Sequence, residues 1–407
     1  MTTMTMTMTM TMTMTMRKNM LRRMMLATTV AAAAGCAADP NYGGLDASAP
    51  DVGGNDTSTT DTGAPETIVN NPVPPPAGVI AAGVRWVGRV DTTNTAQPRF
   101  SWSGTGFVAR FSGTSLTAML NNTGTYVIFK TVIDGAPQPP FTAASGQSTQ
   151  MLATGLTAGV HTVEVYRQTE GPQGETRLMS LTVGDGALMD PPAGANRLIE
   201  VIGDSISCGY GNLGQNGDAD CYPTESHWDT YGAIAARALG AEVSTIAASG
   251  RGIIRNYGGD TGGTMPKVYT NTVTNLSTPV WDFHVEPQAV VINLGTNDIS
   301  NGKGDPGQPF RDTYQTLLQT IRAYYPHTFI IGFVAPLLSS GEAAAINAHI
   351  KAAVDARVAA GDTNVEFFNK IPPQTSDKAA CQYHPNVAEN TLMADALVTE
   401  LKAKLGW

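Results

Sequence analysis

The sequence has few charged residues: Asp, Glu, Lys and Arg together make up 14% of its 407 residues. Basic residues are the scarcer sign, with 25 Lys and Arg against 34 Asp and Glu and a formal net charge of −9. Proteins that bind nucleic acids need clustered Lys and Arg to neutralise phosphates. No basic cluster occurs beyond residue 23, so the composition argues against a nucleic-acid partner.

The N-terminus lacks an apolar run long enough to cross a bilayer. Residues 24–34 are apolar, but a spanning helix needs about 20 such residues. This stretch follows a group of basic residues at positions 17–23, an order that is typical of a signal peptide. We assign residues 1–36 to that peptide.

Cys36 directly follows Ala33, Ala34 and Gly35 at the end of the apolar stretch. Small residues before a Cys resemble the lipobox of bacterial lipoproteins, in which the thiol is acylated and the Cys becomes the mature N-terminus. We therefore expect an exported protein. It is either a lipoprotein of the bacterial cell envelope anchored through Cys36, or an extracellular protein cleaved near Ala34. Any contact with a membrane would be through this anchor.

Cysteines are few, and three of the four follow this region: Cys208, Cys221 and Cys381. None has the spacing of a zinc site, so we expect no metal. Cysteines of an exported protein meet an oxidising compartment, in which they pair. We expect Cys208 to pair with Cys221, because the two are close in sequence.

Composition divides the rest of the chain into segments. Residues 37–78 consist largely of Asp, Gly, Ser, Thr, Asn and Pro, which predicts a disordered linker. In residues 79–184, short runs of alternating apolar and polar residues are separated by turn signals, which predicts an all-β sandwich. These runs are 107–111, 115–120, 126–133, 161–166 and 177–183.

Residues 185–196 are rich in Gly and Pro and predict a hinge, after which residues 197–407 alternate between strand and helix patterns. Strands are predicted at 198–202, 242–247, 289–294, 329–334 and 365–368, and helices at 228–239, 310–324, 342–359 and 387–405. This alternation predicts an α/β domain of three layers, with a parallel sheet flanked by helices. In such sheets the chemistry lies at the carboxyl ends of the strands.

Four groups of polar residues follow the predicted strands. Ser205, in Gly203-Asp204-Ser205, follows the first strand, where it could be a nucleophile or a simple helix cap. Gly250 and Asn297 follow the second and third strands, where each could donate an N–H to an oxyanion or form a turn. Of the six histidines, His384 is the one in a loop at the catalytic edge, directly before the last helix.

In this order the four groups resemble the signature of the SGNH hydrolases, a superfamily of serine esterases. The resemblance implies that Ser205 is the nucleophile and His384 the general base. It also implies an oxyanion hole made by the backbone N–H groups of Ser205 and Gly250 and the Asn297 side chain. No metal or organic cofactor is needed for this chemistry.

A narrower resemblance is to carbohydrate esterase family 2, and it rests on residues 203–212, 249–253, 265–269 and 281–283 and on residues 98–106 upstream. In that family a β-sandwich of jelly-roll type precedes the hydrolase domain. Its members remove acetyl groups from plant polysaccharides such as xylan and glucomannan. The resemblance implies an acetylated polysaccharide or oligosaccharide as substrate, and we expect a monomer.

The sequence departs from a full catalytic triad before His384. Superfamily members often carry an Asp three places before the His, and many family members carry it two places before; here these positions are Cys381 and Gln382. A triad needs this carboxylate to orient the imidazole. We therefore expect a Ser–His dyad in which Gln382 Oε1 or a backbone carbonyl accepts the imidazole N–H. Two other functions stay open: a carbohydrate-binding lipoprotein with a degenerate active site, and a short-chain lipase or thioesterase.

Overall fold

A computed structural model describes residues 83–407, and the structural statements below concern these residues. The predicted signal peptide with Cys36 and the predicted linker at 37–78 lie outside the described residues.

The described residues form strands and helices that are numbered here in chain order. The strands are β1 (Val84–Val87), β2 (Arg99–Phe100), β3 (Gly106–Gly113), β4 (Ser115–Asn122), β5 (Val127–Ile133), β6 (Ala136–Pro137), β7 (Phe141–Ala143), β8 (Gly146–Ala153), β9 (Gly159–Arg167), β10 (Thr176–Gly184), β11 (Ala187–Met189), β12 (Leu198–Gly203), β13 (Glu242–Ala247), β14 (Asn271–Val273), β15 (Leu276–Val280), β16 (Ala289–Asn293), β17 (Phe329–Phe333) and β18 (Val365–Phe367). The α-helices are α1 (Ser205–Cys208), α2 (Tyr231–Ala238), α3 (Met265–Val268), α4 (Thr296–Ile299), α5 (Gly307–Tyr324), α6 (Ser340–Ala359) and α7 (Val387–Leu405). Within the part of the chain that the structure describes, no helix combines the length and the apolar character needed to cross a membrane.

The N-terminal part is a sandwich of antiparallel sheets, as predicted. One sheet has the order β1-β3-β9-β5-β6, with β7 and β11 attached to β5 and β3, and the other has the order β2-β10-β4-β8. Each predicted run coincides with a strand to within two residues at either end. In β4, Leu116, Ala118 and Leu120 are buried while their neighbours are half-buried, which is the alternation of a strand with one face on a core. The segment predicted as a hinge at 185–196 contributes β11, so the sandwich extends further than predicted.

The C-terminal part is a parallel sheet with the order β13-β12-β16-β17-β18. Each of its strands matches a predicted strand to within a residue, and α7 has its predicted bounds. Helix α2 begins at Tyr231 rather than at 228, because Trp228 belongs to a 3-10 turn and Thr230 caps the helix by accepting from Ala233 N. Helices lie on both faces of the sheet, which confirms the predicted three-layer α/β domain.

Strand β12 positions Ser205, the predicted nucleophile. Ile199 and Val201 pack into one core cluster with α7, whereas Ile202 packs into the cluster on the other face with α5 and α6. The strand order reverses at β12, which has β13 on one side and β16 on the other. A crevice forms at the carboxyl ends of parallel strands where the order reverses. Ser205 begins its helix there, directly after the end of β12.

The two domains share buried contacts. The Arg89 guanidinium, from the sandwich, forms an ion pair of 3.1 Å with Glu200 on β12, and Tyr269 Oη donates to the same carboxylate at 2.8 Å. Trp102 of the sandwich is fully buried in a core cluster of the α/β domain. Removing one partner of a buried ion pair leaves the other charge without compensation. We therefore expect the contacts between the two domains to contribute to the stability of the whole described part of the chain.

Candidate active site

Ser205 and His384 come together at the carboxyl end of β12. His384 Nε2 lies 2.8 Å from Ser205 Oγ. Ser205 is the first residue of α1, and Asp204 caps that helix by accepting from Ile206 N at 3.1 Å. Ser205 keeps 7% of its surface exposed, so its hydroxyl is almost enclosed. The sequence-predicted pair thus has the geometry of a nucleophile with its base.

A backbone carbonyl orients the imidazole. His384 Nδ1 lies 3.2 Å from the carbonyl oxygen of Cys381. Because a carbonyl only accepts, Nδ1 carries the proton and Nε2 is free to accept from the Ser205 hydroxyl. This arrangement supplies the tautomer that a general base needs.

The Gln382 side chain does not orient the imidazole. It is exposed, and none of the hydrogen bonds of the described residues joins it to His384. The backbone turns through left-handed conformations at Gln382 and Tyr383, with φ of 49° and 65°, and this turn brings the Cys381 carbonyl to Nδ1. The expectation for Gln382 Oε1 is therefore wrong, and the alternative of a backbone carbonyl is the one that the structure has.

Gln382→Ala is therefore expected to leave kcat within about twofold of the wild-type value, since no transition-state contact is lost. Steady-state kinetics on an acetyl ester measures this. Gln382→Asp is the informative partner, because it places a carboxylate in the loop before His384. It should keep or raise kcat, since Asp tolerates a left-handed backbone. A large loss of kcat in Gln382→Ala would contradict the assignment of the carbonyl.

Burial sets the basicity of His384. Loss of hydration lowers the pKa of its imidazole to about 4, and the hydrogen bonds to the backbone of Cys381 and Gln382 offset part of that shift. The Tyr210 ring packs edge-on against the imidazole at 5.1 Å between centroids. Within residues 83–407, no carboxylate contributes to this shift. His384 therefore stays neutral below the pH at which an exposed histidine protonates.

The acid limb of kcat/KM should accordingly lie below pH 6.5, the ordinary pKa of histidine. Protonation of His384 removes the base, so activity falls as the pH drops through its pKa, which burial lowers to about 4. Because the ring is only half-buried by surface area, we expect the limb between these two values. A pH profile of kcat/KM on an acetyl ester checks this. A limb at or above pH 6.5 would contradict the enclosed environment.

The three predicted oxyanion donors belong to neighbouring loops. The backbone N–H groups of Ser205 and Gly250 donate to no acceptor in the described part of the chain. Gly250 has a φ of 78°, a left-handed conformation that suits glycine. Asn297 Nδ2 donates to the carbonyl of Arg251 at 2.8 Å and lies 3.4 Å from Asp204 Oδ2. The second contact is long for a hydrogen bond, so that amide hydrogen is the one available to a substrate oxygen.

Asp298 has a role that the sequence reasoning missed. Its carboxylate accepts from the backbone N–H groups of Ile253, Ile254 and Arg255 at 2.9, 2.8 and 3.2 Å. The side chain is fully buried. Burial raises the pKa of Asp298, and these hydrogen bonds oppose that rise. The residue after Asn297 thus fixes the loop that follows Gly250.

Glu170 of the sandwich also supports this loop, and no sequence signal pointed to it. Its Oε2 accepts from Ser249 N at 2.6 Å and from the Cys208 thiol at 3.8 Å. Its own backbone N–H donates to Glu225 Oε1 at 2.8 Å. Glu170 is fully buried, so the sandwich contributes a carboxyl group that holds the residue before Gly250.

Glu170, Cys208 and Glu225 form the one group of the described residues whose ligand atoms are close enough to hold a metal ion. Burial raises the pKa of all three groups. A metal binds their deprotonated forms, whereas this environment favours the protonated ones. The cluster therefore suits neutral, hydrogen-bonded carboxyl groups better than a metal ion.

The cysteine pairing differs from the expected one. Cys221 is bonded to Cys381, with 5.7 Å between their Cα atoms, and Cys208 is a buried free thiol. The prediction of a Cys208–Cys221 pair is therefore wrong. Cys208 ends the short helix α1 and points to Glu170, whereas Cys221 and Cys381 meet beside Tyr210 in a separate buried cluster. Closeness in sequence did not decide the pairing, because the chain brings the distant loop of His384 to Cys221.

The geometry can be compared with known families. Residues 86–192 match the family described as carbohydrate esterase 2 N-terminal, and residues 201–390 match the GDSL-like lipase/acylhydrolase family. Together with the parallel sheet and the Ser205–His384 pair, these matches define the class: a GDSL-like hydrolase of the SGNH type, preceded by an antiparallel β domain.

Individual relatives narrow the class to one family. The chain is 35% identical over 328 residues to the cellulase/esterase CelE of Acetivibrio thermocellus, a match that covers 80% of the chain but 40% of CelE. It is 26% identical to an acetylxylan esterase/glucomannan deacetylase of Cellvibrio japonicus, over 80% of the chain and 89% of that protein. A family two carbohydrate esterase from Clostridium thermocellum, solved in complex with cellohexaose, has a TM-score of 0.75 and 35% identity over 80% of this chain and 100% of that chain. The chain belongs to carbohydrate esterase family 2.

Proposed function

We propose that the chain is a serine esterase that removes acetyl groups from plant cell-wall polysaccharides such as xylan or glucomannan. The observation that carries this proposal is the 2.8 Å contact between Ser205 Oγ and His384 Nε2, with Nδ1 held by a carbonyl. Because the nucleophile and its base are both intact, the site argues against the alternative of a carbohydrate-binding lipoprotein with a degenerate active site. The names of the relatives, esterase and deacetylase, agree with this chemistry.

The reaction proceeds through an acyl-enzyme. His384 Nε2 takes the Ser205 proton while Oγ bonds to the acetyl carbonyl carbon, and the negative charge moves to the carbonyl oxygen. The bond to the sugar oxygen then breaks, and the proton on Nε2 passes to that oxygen. Water repeats the sequence: His384 takes its proton, the hydroxide bonds to the carbonyl carbon, and Ser205 leaves with the proton. The products are acetate and a free sugar hydroxyl.

The oxyanion is held by preorganised donors. The free N–H groups of Ser205 and Gly250 and the loosely held amide hydrogen of Asn297 are the donors that support this role. Ser205 N also lies at the first turn of α1, where unpaired N–H groups favour negative charge. Donors fixed in advance cost no reorganisation when charge develops.

The surroundings of the site suit a sugar. Tyr383 beside His384 is 66% exposed, and Tyr257, whose N–H donates to the Gly250 carbonyl, is 39% exposed. Exposed aromatic rings with polar groups nearby are typical of sites that hold an amphipathic ligand. A sugar ring has apolar faces and polar edges, so it can contact both.

Product analysis tests the substrate class. The purified enzyme is incubated with acetylated xylan and with acetylated glucomannan, and the released acetate is measured. A parallel comparison of chromogenic acetate and octanoate esters separates this function from a lipase or thioesterase, since a small acyl pocket rejects the long chain. We expect acetate to be strongly preferred and at least one polysaccharide to be deacetylated. Faster octanoate hydrolysis would favour the lipase alternative.

We also propose that the enzyme is exported and acts as a monomer, held at the cell envelope through acylation of Cys36. The support is the basic and apolar order of residues 17–34 and the small residues before Cys36. Metabolic labelling with a radioactive fatty acid tests the anchor, with Cys36→Ala as the control that should lose the label. Secretion of an unlabelled wild-type protein would instead support cleavage near Ala34. Sedimentation analysis of the mature protein measures its oligomeric state.

A further inference from the structure

One covalent bond joins the loop of His384 to the segment that follows the nucleophile. Cys381, three residues before His384, is bonded to Cys221 across a sequence separation of 160. Both cysteines are fully buried. The carbonyl of Cys381 is also the group that accepts from His384 Nδ1. The residue that orients the imidazole is therefore itself fixed by the disulfide.

The disulfide packs against the segment that directly follows α1. The Gly211 carbonyl accepts from Cys381 N at 3.3 Å. A Cβ at Gly211 would lie 2.6 Å from Cys381 Cβ and 2.8 Å from Cys221 Cβ. Tyr210 belongs to the same buried cluster as the two cysteines, and its ring packs on the imidazole. The disulfide thus contacts the segment that carries Ser205 as well as the loop that carries His384.

The backbone between Cys381 and His384 needs such support. Gln382 and Tyr383 are consecutive non-glycine residues with left-handed φ values of 49° and 65°, a conformation that is unfavourable for both. One end of this turn is fixed by the disulfide, and the other by the hydrogen bond of 2.7 Å from Ala380 N to the His384 carbonyl. Without the disulfide, only hydrogen bonds would hold this turn, such as those from Cys381 N to the Gly211 carbonyl at 3.3 Å and from His384 N to the Cys381 carbonyl at 3.1 Å.

We propose that the Cys221–Cys381 disulfide performs the positioning that a carboxylate performs in a full triad, by fixing the Cys381 carbonyl against His384 Nδ1. The inference rests on the proposed function, in which His384 is the general base. Cys221 and Cys381 are positioning residues, because they act through His384 and not on the substrate. The Asp position common in the superfamily, three places before the His, is the one that Cys381 occupies.

The double variant Cys221→Ala/Cys381→Ala tests the proposal. We expect kcat on an acetyl ester to fall about 10-fold to 100-fold, less than the roughly 10²-fold to 10⁴-fold that a general base contributes, because His384 is misaligned and not removed. We expect KM to change by less than about threefold, because no substrate contact is removed. The acid limb of kcat/KM should also move up in pH, because a loosened loop lets water reach the ring. Ser205 and Tyr210 are the side chains that face the imidazole, and neither is replaced.

Two further variants separate positioning from a general loss of stability. Asp362 pairs with Arg322 and Arg357 at the amino end of β18, opposite the catalytic edge, so Asp362→Ala should lower Tm while kcat and the acid limb stay unchanged. Adding Gln382→Asp to the disulfide-free protein should restore kcat by about 10-fold, because the released loop lets a carboxylate at position 382 turn to the imidazole and take over from the Cys381 carbonyl. If the disulfide had only a structural role, its loss would neither shift the acid limb of kcat/KM nor be compensated in kcat by Gln382→Asp.

Chemical reduction covers the case in which the double variant fails to fold. Dithiothreitol, a dithiol, closes to a cyclic disulfide and gives one electron and one proton to each cysteine sulfur. Samples are unfolded in acid and their thiols are titrated, which counts the freed Cys221 and Cys381 above the thiol of Cys208. The loss of kcat, measured on the folded protein before unfolding, should follow that count and reverse on reoxidation. Reduced, folded protein with unchanged kcat and acid limb overturns the proposal.

An NMR titration of the His384 ring separates this inference from the proposed function. The ring pKa should be higher in the reduced or double-variant protein than in the oxidised wild type. If the wild type hydrolyses no acetyl ester and this difference is still found, the esterase assignment fails but the positioning role of the disulfide is supported. If the wild type is active and the ring pKa is the same with and without the disulfide, the positioning role is overturned while the esterase assignment is kept.

Discussion

Ser205→Ala is expected to abolish turnover of acetyl esters, with a loss in kcat of about 10⁴-fold to 10⁶-fold. The variant keeps the oxyanion donors and the substrate site but has no oxygen to form the acyl-enzyme. His384 Nε2, now without its partner at 2.8 Å, could at most activate a water molecule. Acetate release under steady-state conditions measures the loss.

The matched control is Ser207→Ala on the same helix. Ser207 Oγ contacts Tyr231 Oη at 2.8 Å and not His384, so this variant should lose some stability and keep most of its kcat. His384→Ala should be about as slow as Ser205→Ala, and the double variant no slower, because residues that act as one unit have non-additive effects. Substantial acetate release by Ser205→Ala would remove Ser205 from the mechanism.

The strands of the α/β domain were predictable because burial on both faces leaves a continuous apolar signature. Strand β16 is buried at every position from Ala289 to Asn293, and its sequence there is accordingly apolar up to the final Asn. The sandwich strands were predictable for a different reason, since β4 alternates between buried and half-buried residues. These patterns gave the strand bounds to within one residue in the parallel sheet and to within two in the sandwich.

The positions of Ser205 and His384 were also predictable, because parallel strands bring their carboxyl ends to one edge of the sheet. Their contact is the consequence of that geometry, with α7 starting just after His384 at the same edge. What the sequence could show was the order of the groups along the chain. The resemblance to a known superfamily then gave each group its role.

The loop details were not predictable. The Cys221–Cys381 pair and the exposed side chain of Gln382 depend on how the loop before His384 folds. Two left-handed residues in that loop place the Cys381 carbonyl, and not the Gln382 side chain, at the imidazole. No local sequence pattern predicts their conformation. Glu170 was missed because its partner, Ser249, lies in another domain. Such contacts depend on the docking of the domains, which no single segment encodes.

Asp298→Ala is expected to lower kcat by about 100-fold or more, the cost of losing an oxyanion-hole donor. Its carboxylate is the common acceptor for three successive N–H groups, from Ile253 to Arg255. A hydrogen bond to a charged group contributes about 1.5–3 kcal/mol, so the loop loses its main attachment. Gly250 stands just before this loop, and Asn297 donates to the Arg251 carbonyl inside it. Both donors would therefore lose their alignment while Ser205 and His384 stay in contact.

A matched control separates this effect from a simple loss of charge. Asp305 is a carboxylate that accepts a single backbone N–H, from Gly307, on an exposed loop, so Asp305→Ala should leave kcat unchanged. Asp298→Asn keeps one acceptor oxygen and should fall between the wild type and Asp298→Ala. Reaction of Ser205 with a small phosphonylating reagent offers a second measurement. The oxyanion donors also stabilise that reaction, so its rate should fall together with kcat. Wild-type kcat in folded Asp298→Ala would mean that the loop holds its shape without the carboxylate, and that Glu170 aligns the donors through Ser249 N instead of Asp298.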